Sequence, residues 1–433
     1  MHSSISTFED LQLHPSSTFD DLQLHPRILE ALSQEGYTEP TPIQTEAIPR
    51  LLDGHDLLAT AQTGTGKTAA FALPILQYLY EEYLYEEPVR GPDRLRALVL
   101  TPTRELAIQV EESIRAYSRH LPLRSAVVLG GVSIRPQIEA LRQSPDILVA
   151  TPGRLLDLVR QRLVDLKTIQ ILVLDEADRM LDMGFIDEVR RIVACVPRER
   201  QTMLFSATLS PEVMTLASDL LYEPVTVAVS PPASVVRAID QRVMFVAQSD
   251  KRSLLTWLLG GEDIERVLIF TRTKHGADRI VRHLVASGIR ADSIHSNKNQ
   301  IARQRALGAF DKGQVPVLVA TDIVARGIDV EGISHVINYE LPSAPEGYVH
   351  RVGRTARAGA EGIALSLCDA AETGLLRDIA NLTGSPLRVI DDQPYHSEAI
   401  TALFRGEGSK SRQASRSGWR SFSPRRGRAR STR

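Results

Sequence analysis

Two short segments carry residue types that could act on a polyphosphate. The first, AQTGTGKT from Ala61 to Thr68, follows an apolar run and precedes a helical pattern. Phosphate needs a loop that turns tightly and aims backbone amides inward, then a helix whose N-terminus favours negative charge. Gly64 and Gly66 permit that turn, and Ala61, Gln62, Thr63 and Thr65 complete the loop. Lys67 would meet the β- and γ-phosphates, and the Thr68 hydroxyl would hold Mg2+. Ala61 stands where the general P-loop pattern begins with glycine. The second segment, ILVLDEAD from Ile171 to Asp178, is an apolar strand ending in carboxylates, the ligand end of an open α/β sheet. Asp175 can hold the metal through water, and Glu176 can orient and deprotonate an attacking water. Together they imply hydrolysis of a phosphoanhydride.

Such residues need parallel strands to deliver them. Apolar runs over Asp56 to Ala61, Ala97 to Leu100, Ala126 to Leu129, Ile147 to Ala150, Ile171 to Leu174 and Thr202 to Phe205 alternate with helical patterns. The same alternation continues through Val267 to Phe270, Val317 to Ala320, His335 to Asn338 and Ile363 to Leu367. Short Val/Ile/Leu runs of this kind predict an α/β fold with parallel sheets covered by helices on both faces. SPPASVVRAID, Ser230 to Asp240, fits neither pattern and reads as a linker. The chain therefore divides into an extension (1–16), a first domain (17–230), a linker (231–240), a second domain (241–395) and a disordered basic tail (396–433). STFEDLQLHP at Ser6 to Pro15 recurs as STFDDLQLHP at Ser17 to Pro26, and YLYEE at Tyr78 to Glu82 recurs at Tyr83 to Glu87. Neither repeat has the period or copy number of a solenoid, and both read as local duplications in exposed segments.

A chain of 433 residues exceeds what one core usually supports, in keeping with two domains. No stretch approaches the ~20 consecutive apolar residues of a membrane helix. MHSSISTFED lacks the pattern of a secretory signal. Cys195 and Cys368, the only cysteines, suit a reducing cytoplasm. The net charge of -2 hides an asymmetry: Arg405 to Arg433 carries ten basic residues and one acidic, leaving the remainder at -11. A polyanion would meet the tail first.

DEAD itself, Asp175 to Asp178, resembles the signature of the DEAD-box RNA helicases, and the resemblance runs from about Phe19 to the 380s. PTREL (Pro102 to Leu106), GG (Gly130, Gly131), TPGR (Thr151 to Arg154) and SAT (Ser206 to Thr208) follow in the family's order. LIFTRTK (Leu268 to Lys274), TDIVARGID (Thr321 to Asp329) and HRVGRTARAG (His350 to Gly359) complete it. The resemblance implies two tandem RecA-like domains and ATP-driven RNA unwinding. GYTEPTPIQ, Gly36 to Gln44, is similar to the family's adenine-reading segment. There Gln44 would bond the adenine edge, which a carboxamide matches and guanine does not, and Phe19 would stack on its face. By the same resemblance Arg354 and Arg357 are arginine fingers, Asp329 bonds the ribose, and Asp178, Ser206, Thr208 and His350 couple the lobes. Hydrolysis would then require closure, because the fingers lie in the other lobe. Ala356 and Val324 stand where many relatives have glycine and alanine.

RNA contact is implied for Pro102, Thr103, Arg104, Gly130, Gly131, Thr151, Gly153 and Arg154 in one lobe. Arg272, Gln300, Arg303, Thr321 and Asp322 are implied in the other. Backbone contacts of this kind carry no sequence information, and 2′-hydroxyl contacts would discriminate against DNA. The implied mechanism is local strand separation, in which lobes closed by ATP and RNA bend one strand away from its partner. Ribosome-assembly or RNA-decay proteins are conceivable partners, and a monomeric core is expected. Three alternatives stand beside it: an ATP-gated RNA clamp that rarely unwinds, a DNA helicase of the same superfamily, and a decayed RNA-binding protein. The intact Lys67, Glu176, Arg354 and Arg357 oppose the last.

The tail, with Trp419 and Phe422 among its arginines, lacks the apolar content to fold and could hold RNA by charge and stacking. It is similar to the basic extensions of bacterial RhlE-like members. Removing Arg405 to Arg433 should lower RNA affinity and flatten its salt dependence while leaving the maximal ATPase rate near its starting value. Equal salt slopes with and without the tail would count against this reading.

Overall fold

The computed structural model describes residues 18–61, 64–85, 95–229, 239–261, 265–322, 330, 332–355, 362–384 and 387–406. Fourteen strands form two seven-stranded sheets in which every pairing is parallel. The first contains β1 (Leu57–Thr60), β2 (Ala97–Leu100), β3 (Ser125–Val128), β4 (Ile147–Ala150), β5 (Ile171–Leu174), β6 (Gln201–Ser206) and β7 (Val225–Ala228), ordered β3-β4-β2-β5-β6-β1-β7. The second contains β8 (Ile239–Phe245), β9 (Val267–Phe270), β10 (Ala291–Ile294), β11 (Val317–Ala320), β12 (His335–Asn338), β13 (Gly362–Cys368) and β14 (Arg388–Val389), ordered β10-β11-β9-β12-β13-β8-β14. Counted from the first strand of each, the two orders are identical.

Alternate residues of each strand feed opposite faces, so each sheet needs apolar cover on both sides. In the first lobe Leu57, Ala59, Val99, Val149, Val173, Met203 and Phe205 face the helices Pro26–Gln34, Pro42–Leu52, Lys67–Tyr85 and Arg104–Tyr117. Leu58, Leu98, Leu148, Leu172 and Leu204 face the helices Pro152–Arg160, Ile186–Val193 and Pro211–Leu220. This arrangement is the tandem RecA-like fold that the motifs implied.

Four strands were not anticipated. β7 is an edge strand that is half exposed, β10 is another edge strand with polar residues, and β14 has two residues. β8 alternates polar with apolar and starts at Ile239, inside the segment expected as linker. A second departure is at the C-terminus, where Glu398–Arg405, expected to open the disordered tail, forms a helix. Its cause is apolar: Ile400 is buried, Phe404 packs on Phe245 at 5.3 Å, and Arg377 lies over the Phe404 ring. Beyond Gly406 the tail lies outside the described residues. The second YLYEE copy also departs from a loop, since it continues the helix Lys67–Tyr85 as far as Tyr85. Leu79 and Tyr80 of the first copy are buried, whereas Leu84 and Tyr85 of the second point to solvent.

One buried carboxylate ties the strand starts of the first sheet together. Asp56 accepts from Thr202 N at 2.6 Å and Tyr222 N at 2.7 Å, fixing the entries of β6 and β7 beside β1. Asp56→Ala orphans two backbone donors and should cost the first lobe about 3 kcal/mol in urea unfolding, with Asp56→Asn costing less. A loss below 1 kcal/mol for the alanine variant, roughly that of an ordinary surface substitution, would remove Asp56 from this role.

Candidate functional site

The glycine turn after β1 forms as the motif requires. Gly64 and Gly66 have φ of +84° and +90°, the left-handed region in which a side chain is strained. At Gly66 there is also no room, because a Cβ would lie 2.4 Å from Gln44 Nε2. Lys67 opens the helix Lys67–Tyr85 and is buried, and its Nζ has no hydrogen-bond partner among the described residues. Asp175, at the end of β5, is equally enclosed, and its Oδ1 is also unpartnered. A buried ammonium and a buried carboxylate oxygen left unsatisfied are costly, and each lacks the partner that phosphate or a divalent cation would provide.

Electrostatics separate the two acidic residues. Burial pushes the Asp175 carboxyl up to about 6, with Lys67 partly opposing it and Glu176 adding to it. Burial acts on Glu176 as well, but the charges of Arg179, Lys67 and Arg354 outweigh it and hold the group below the usual range. Arg179 Nη1 donates to Glu176 Oε2 at 2.7 Å. Arg354 belongs to the second lobe, so the two lobes meet across this carboxylate. Glu176 itself is left-handed, with φ +54°, at the strand-to-helix corner. Asp178 turns the other way: its Oδ2 accepts from Ala207 N at 3.1 Å, Thr208 N at 3.0 Å and Thr208 Oγ1 at 3.1 Å. Ser206 Oγ donates to Thr208 O at 2.7 Å. DEAD and SAT are thus one network within the first lobe. His350 lies on the helix Pro345–Val352, and its carbonyl accepts from Arg354 Nε.

The residues expected to read adenine sit nearby, but both are engaged. Gln44 is buried; its Oε1 accepts from Thr41 N at 2.9 Å and its Nε2 donates to Gly66 O at 3.1 Å. Phe19 belongs to the core and meets Tyr37 edge-on at 5.8 Å. Gln62, Thr63, Val324, Asp329, Ala356 and Arg357 lie outside the described residues.

The residues singled out for RNA gather at the strand ends. Gly131, with φ +73°, leaves the space that the Arg104 guanidinium fills, since a Cβ there would lie 2.2 Å from Arg104 Nη1. Arg154 Nη2 donates to Val132 O at 3.2 Å, and its Nη1 is buried without a hydrogen-bond partner among the described residues. Thr103 and Thr151 are the N-cap residues of the helices Arg104–Tyr117 and Pro152–Arg160, while Pro102 and Gly153 lie in these same turns. Those parts of the first lobe converge.

In the second lobe the polar groups serve other partners. Asp322 takes Arg351 bidentately, at 2.5 and 2.7 Å, and a carboxylate with that load is placed to hold an arginine instead of a phosphate. Thr321, at the end of β11, is nearly buried. Gln300 Nε2 and Arg303 Nη2 both donate to Glu105 of the first lobe, at 2.9 and 2.5 Å. Glu105, Arg179 and Arg351 sit inside PTREL, the segment after DEAD, and HRVGR, and the sequence reading gave none of them a role. Their types were visible, but their partners are distant in the chain.

A buried lysine on a glycine turn, without a hydrogen-bond partner among the described residues and facing two carboxylates whose acidities are shifted in opposite directions, defines a nucleoside-triphosphate hydrolase built on a pair of RecA-like lobes. The DEAD/DEAH box helicase family model matches residues 41–216, and the helicase conserved C-terminal domain matches 250–359. The ATP-dependent RNA helicase CshA of Limosilactobacillus reuteri is 40% identical over 380 residues, covering 88% of this chain and 74% of that protein. The DEAD-box ATP-dependent RNA helicase RhpA of Helicobacter pylori is 39% identical, covering 78% and 67%. Among solved structures, Saccharomyces cerevisiae Dbp5 bound to RNA and ADP BeF3 superposes with a TM-score of 0.75 at 31% identity, covering 87% of this chain and 96% of that one. The chain belongs to the DEAD-box ATP-dependent RNA helicases. Among the described residues no helix is long and apolar enough to cross a membrane.

Glu105 is the first-lobe end of the lobe-to-lobe contact. Glu105→Gln should raise the RNA concentration for half-maximal ATPase about tenfold, by weakening a charge-assisted bond to Arg303. An unchanged RNA dependence, together with unchanged lobe-to-lobe energy transfer between fluorophores, would remove Glu105 from closure.

Proposed function

We propose that ATP hydrolysis proceeds at the seam between Lys67, Asp175 and Glu176 of one lobe and Arg354 and Arg357 of the other, and that it drives local, sequence-blind separation of RNA strands. The observation that carries this is the placement of Arg354 where its charge acts on Glu176. Lys67 and the amides of the Gly64 to Gly66 turn hold the β- and γ-phosphates, a reading supported by Lys67 Nζ having no hydrogen-bond partner among the described residues. Thr68 and Asp175 would hold Mg2+, which supplies charge neutralisation on those phosphates. The donors are oxygens, as that ion prefers. Glu176, kept ionised by its cationic neighbours, accepts the proton of the attacking water. Arg354 and Arg357 stabilise charge on the γ-phosphoryl oxygens, and Asp329 holds the ribose. Gln44 reads adenine by exchanging its bond to Gly66 O for the base edge, beside Phe19.

On the RNA side, Arg104 and Arg154 sit over the GG turn, where a sugar-phosphate chain can approach backbone closely. The unpartnered Arg154 Nη1 supports this reading. Arg272 and Thr321 contact the strand from the second lobe, while Gln300 and Arg303 hold Glu105 and so join RNA binding to closure. Stable clamping without unwinding is the less favoured reading. A cytoplasmic monomer with a RhlE-like basic tail completes the proposal, with ribosome-assembly or RNA-decay proteins as partners.

Glu176→Gln should retain ATP and RNA binding while RNA-stimulated turnover falls by about a hundredfold or more, the usual scale of a lost general base. Lys67→Ala should weaken nucleotide binding itself. Turnover in Glu176→Gln equal to that of the unaltered chain, measured with single-stranded RNA and then DNA, would overturn the assignment.

A further inference from the structure

Because the two sheets share one strand order, each residue around the nucleotide turn has a positional counterpart in the second lobe. Lys67 opens the helix after β1, and Lys251 opens the helix after β8. Their fates differ. Lys251 is buried, and its Nζ reaches Glu372 Oε2 at 2.5 Å, Asp369 Oδ2 at 3.0 Å and Tyr339 O at 3.1 Å. Two carboxylates of the protein thus fill the place that phosphate would take in the first lobe.

Glu372 does more than neutralise this lysine. Its Oε1 accepts from Leu341 N at 3.0 Å, beyond β12, and from Arg272 Nη2 at 3.2 Å, beyond β9. The side chain is 1% exposed, so it cannot move without leaving Leu341 N unpaired and taking one of two carboxylates from Lys251. Arg272, with a side chain 42% exposed, is the outermost member of the cluster. Its backbone N donates to Glu340 Oε2 at 2.8 Å, which also takes Thr271 Oγ1 at 2.6 Å. A long arginine side chain loses rotamer freedom when it grips a phosphate; one already fixed at a nitrogen loses less.

We infer that Glu372 is a positioning residue for RNA binding: anchored by Lys251, it holds the Arg272 guanidinium in place for a backbone phosphate of single-stranded RNA. The inference rests on the reading of Arg272 as an RNA contact. Glu372 itself touches neither RNA nor ATP. Asp369 shares Lys251 and has no hydrogen bond or ion pair with Arg272 among the described residues; it also caps the short helix that carries Glu372, so Asp369→Asn, which keeps a capping oxygen, is the comparison.

The test is RNA-stimulated ATPase of the full chain with oligouridylate as the titrant. Arg272→Ala should raise the KM for RNA about tenfold, the scale of a lost hydrogen bond to a charged group. Glu372→Gln should raise it about fivefold, leave kcat and the KM for ATP within about twofold, and add nothing further in the Arg272→Ala background. Asp369→Asn should leave the KM for RNA unchanged. If Glu372→Gln fails to fold, Glu372→Asp, which keeps the charge on Lys251 but withdraws from Arg272, should reproduce the increase. No change in Arg272→Ala would remove the RNA reading of Arg272 and the inference with it. A change there, but none in the Glu372 variants, would overturn the inference alone. So would an equal increase in Asp369→Asn, or an undiminished Glu372 effect on top of Arg272→Ala.

Discussion

Buried charge left short of hydrogen bonds is the constraint around which this molecule is arranged. Lys67 and Asp175 are enclosed by the first lobe, yet among the described residues Lys67 Nζ and Asp175 Oδ1 have no hydrogen-bond partner. Such an arrangement costs stability in the lobe that holds it, and relief must come from outside. Triphosphate with its cation can supply part of the balance, and the second lobe supplies Arg354 beside Glu176. On the proposed mechanism, binding, closure and catalysis are linked through one electrostatic deficit.

The second lobe shows what the same topology does when no ligand is intended. Lys251, in the position of Lys67, is neutralised by Glu372 and Asp369. Around it Arg351 is fully buried, held by Asp322, Asn338 and the Glu340 carbonyl, with its guanidinium over Phe270. Satisfied networks of this kind rigidify, whereas unsatisfied ones invite a partner. On the proposed mechanism one lobe is the receptor for phosphate, and the other is a stiff platform that carries arginines to it.

The same platform joins the two faces of the molecule. Asp322 and Arg272 lie at strand ends on the face proposed for RNA, and Arg351 and Arg354 lie on or beside the helix Pro345–Val352, on the face proposed for nucleotide. Across the lobes, Glu105 next to Arg104 takes Gln300 and Arg303. A strand lying over Arg104 and Arg154 would be held by the groups that close the seam. Coupling then needs no moving part beyond the lobes.

Much of this could be read from the chain alone, because it is local. The glycine turn at Gly64 to Lys67, the carboxylates closing ILVLDEAD and the continuous apolar strands are patterns of neighbouring residues, and they determine the parallel two-lobed fold and the family. Strands with polar alternation or edge positions, such as β8 and β10, escaped because their apolar count is low and their burial is decided by a neighbour. Ile400 and Phe404 escaped for the same reason, since Phe245 makes a helix of what composition assigns to a tail. Only tertiary structure could decide that Asp322 serves Arg351, that Gln300 and Arg303 meet Glu105, and that Lys251 is neutralised where Lys67 is not. Those outcomes depend on which charges from distant segments arrive within 3 or so ångströms of each other, about the reach of a hydrogen bond, and spacing along one chain does not carry that information.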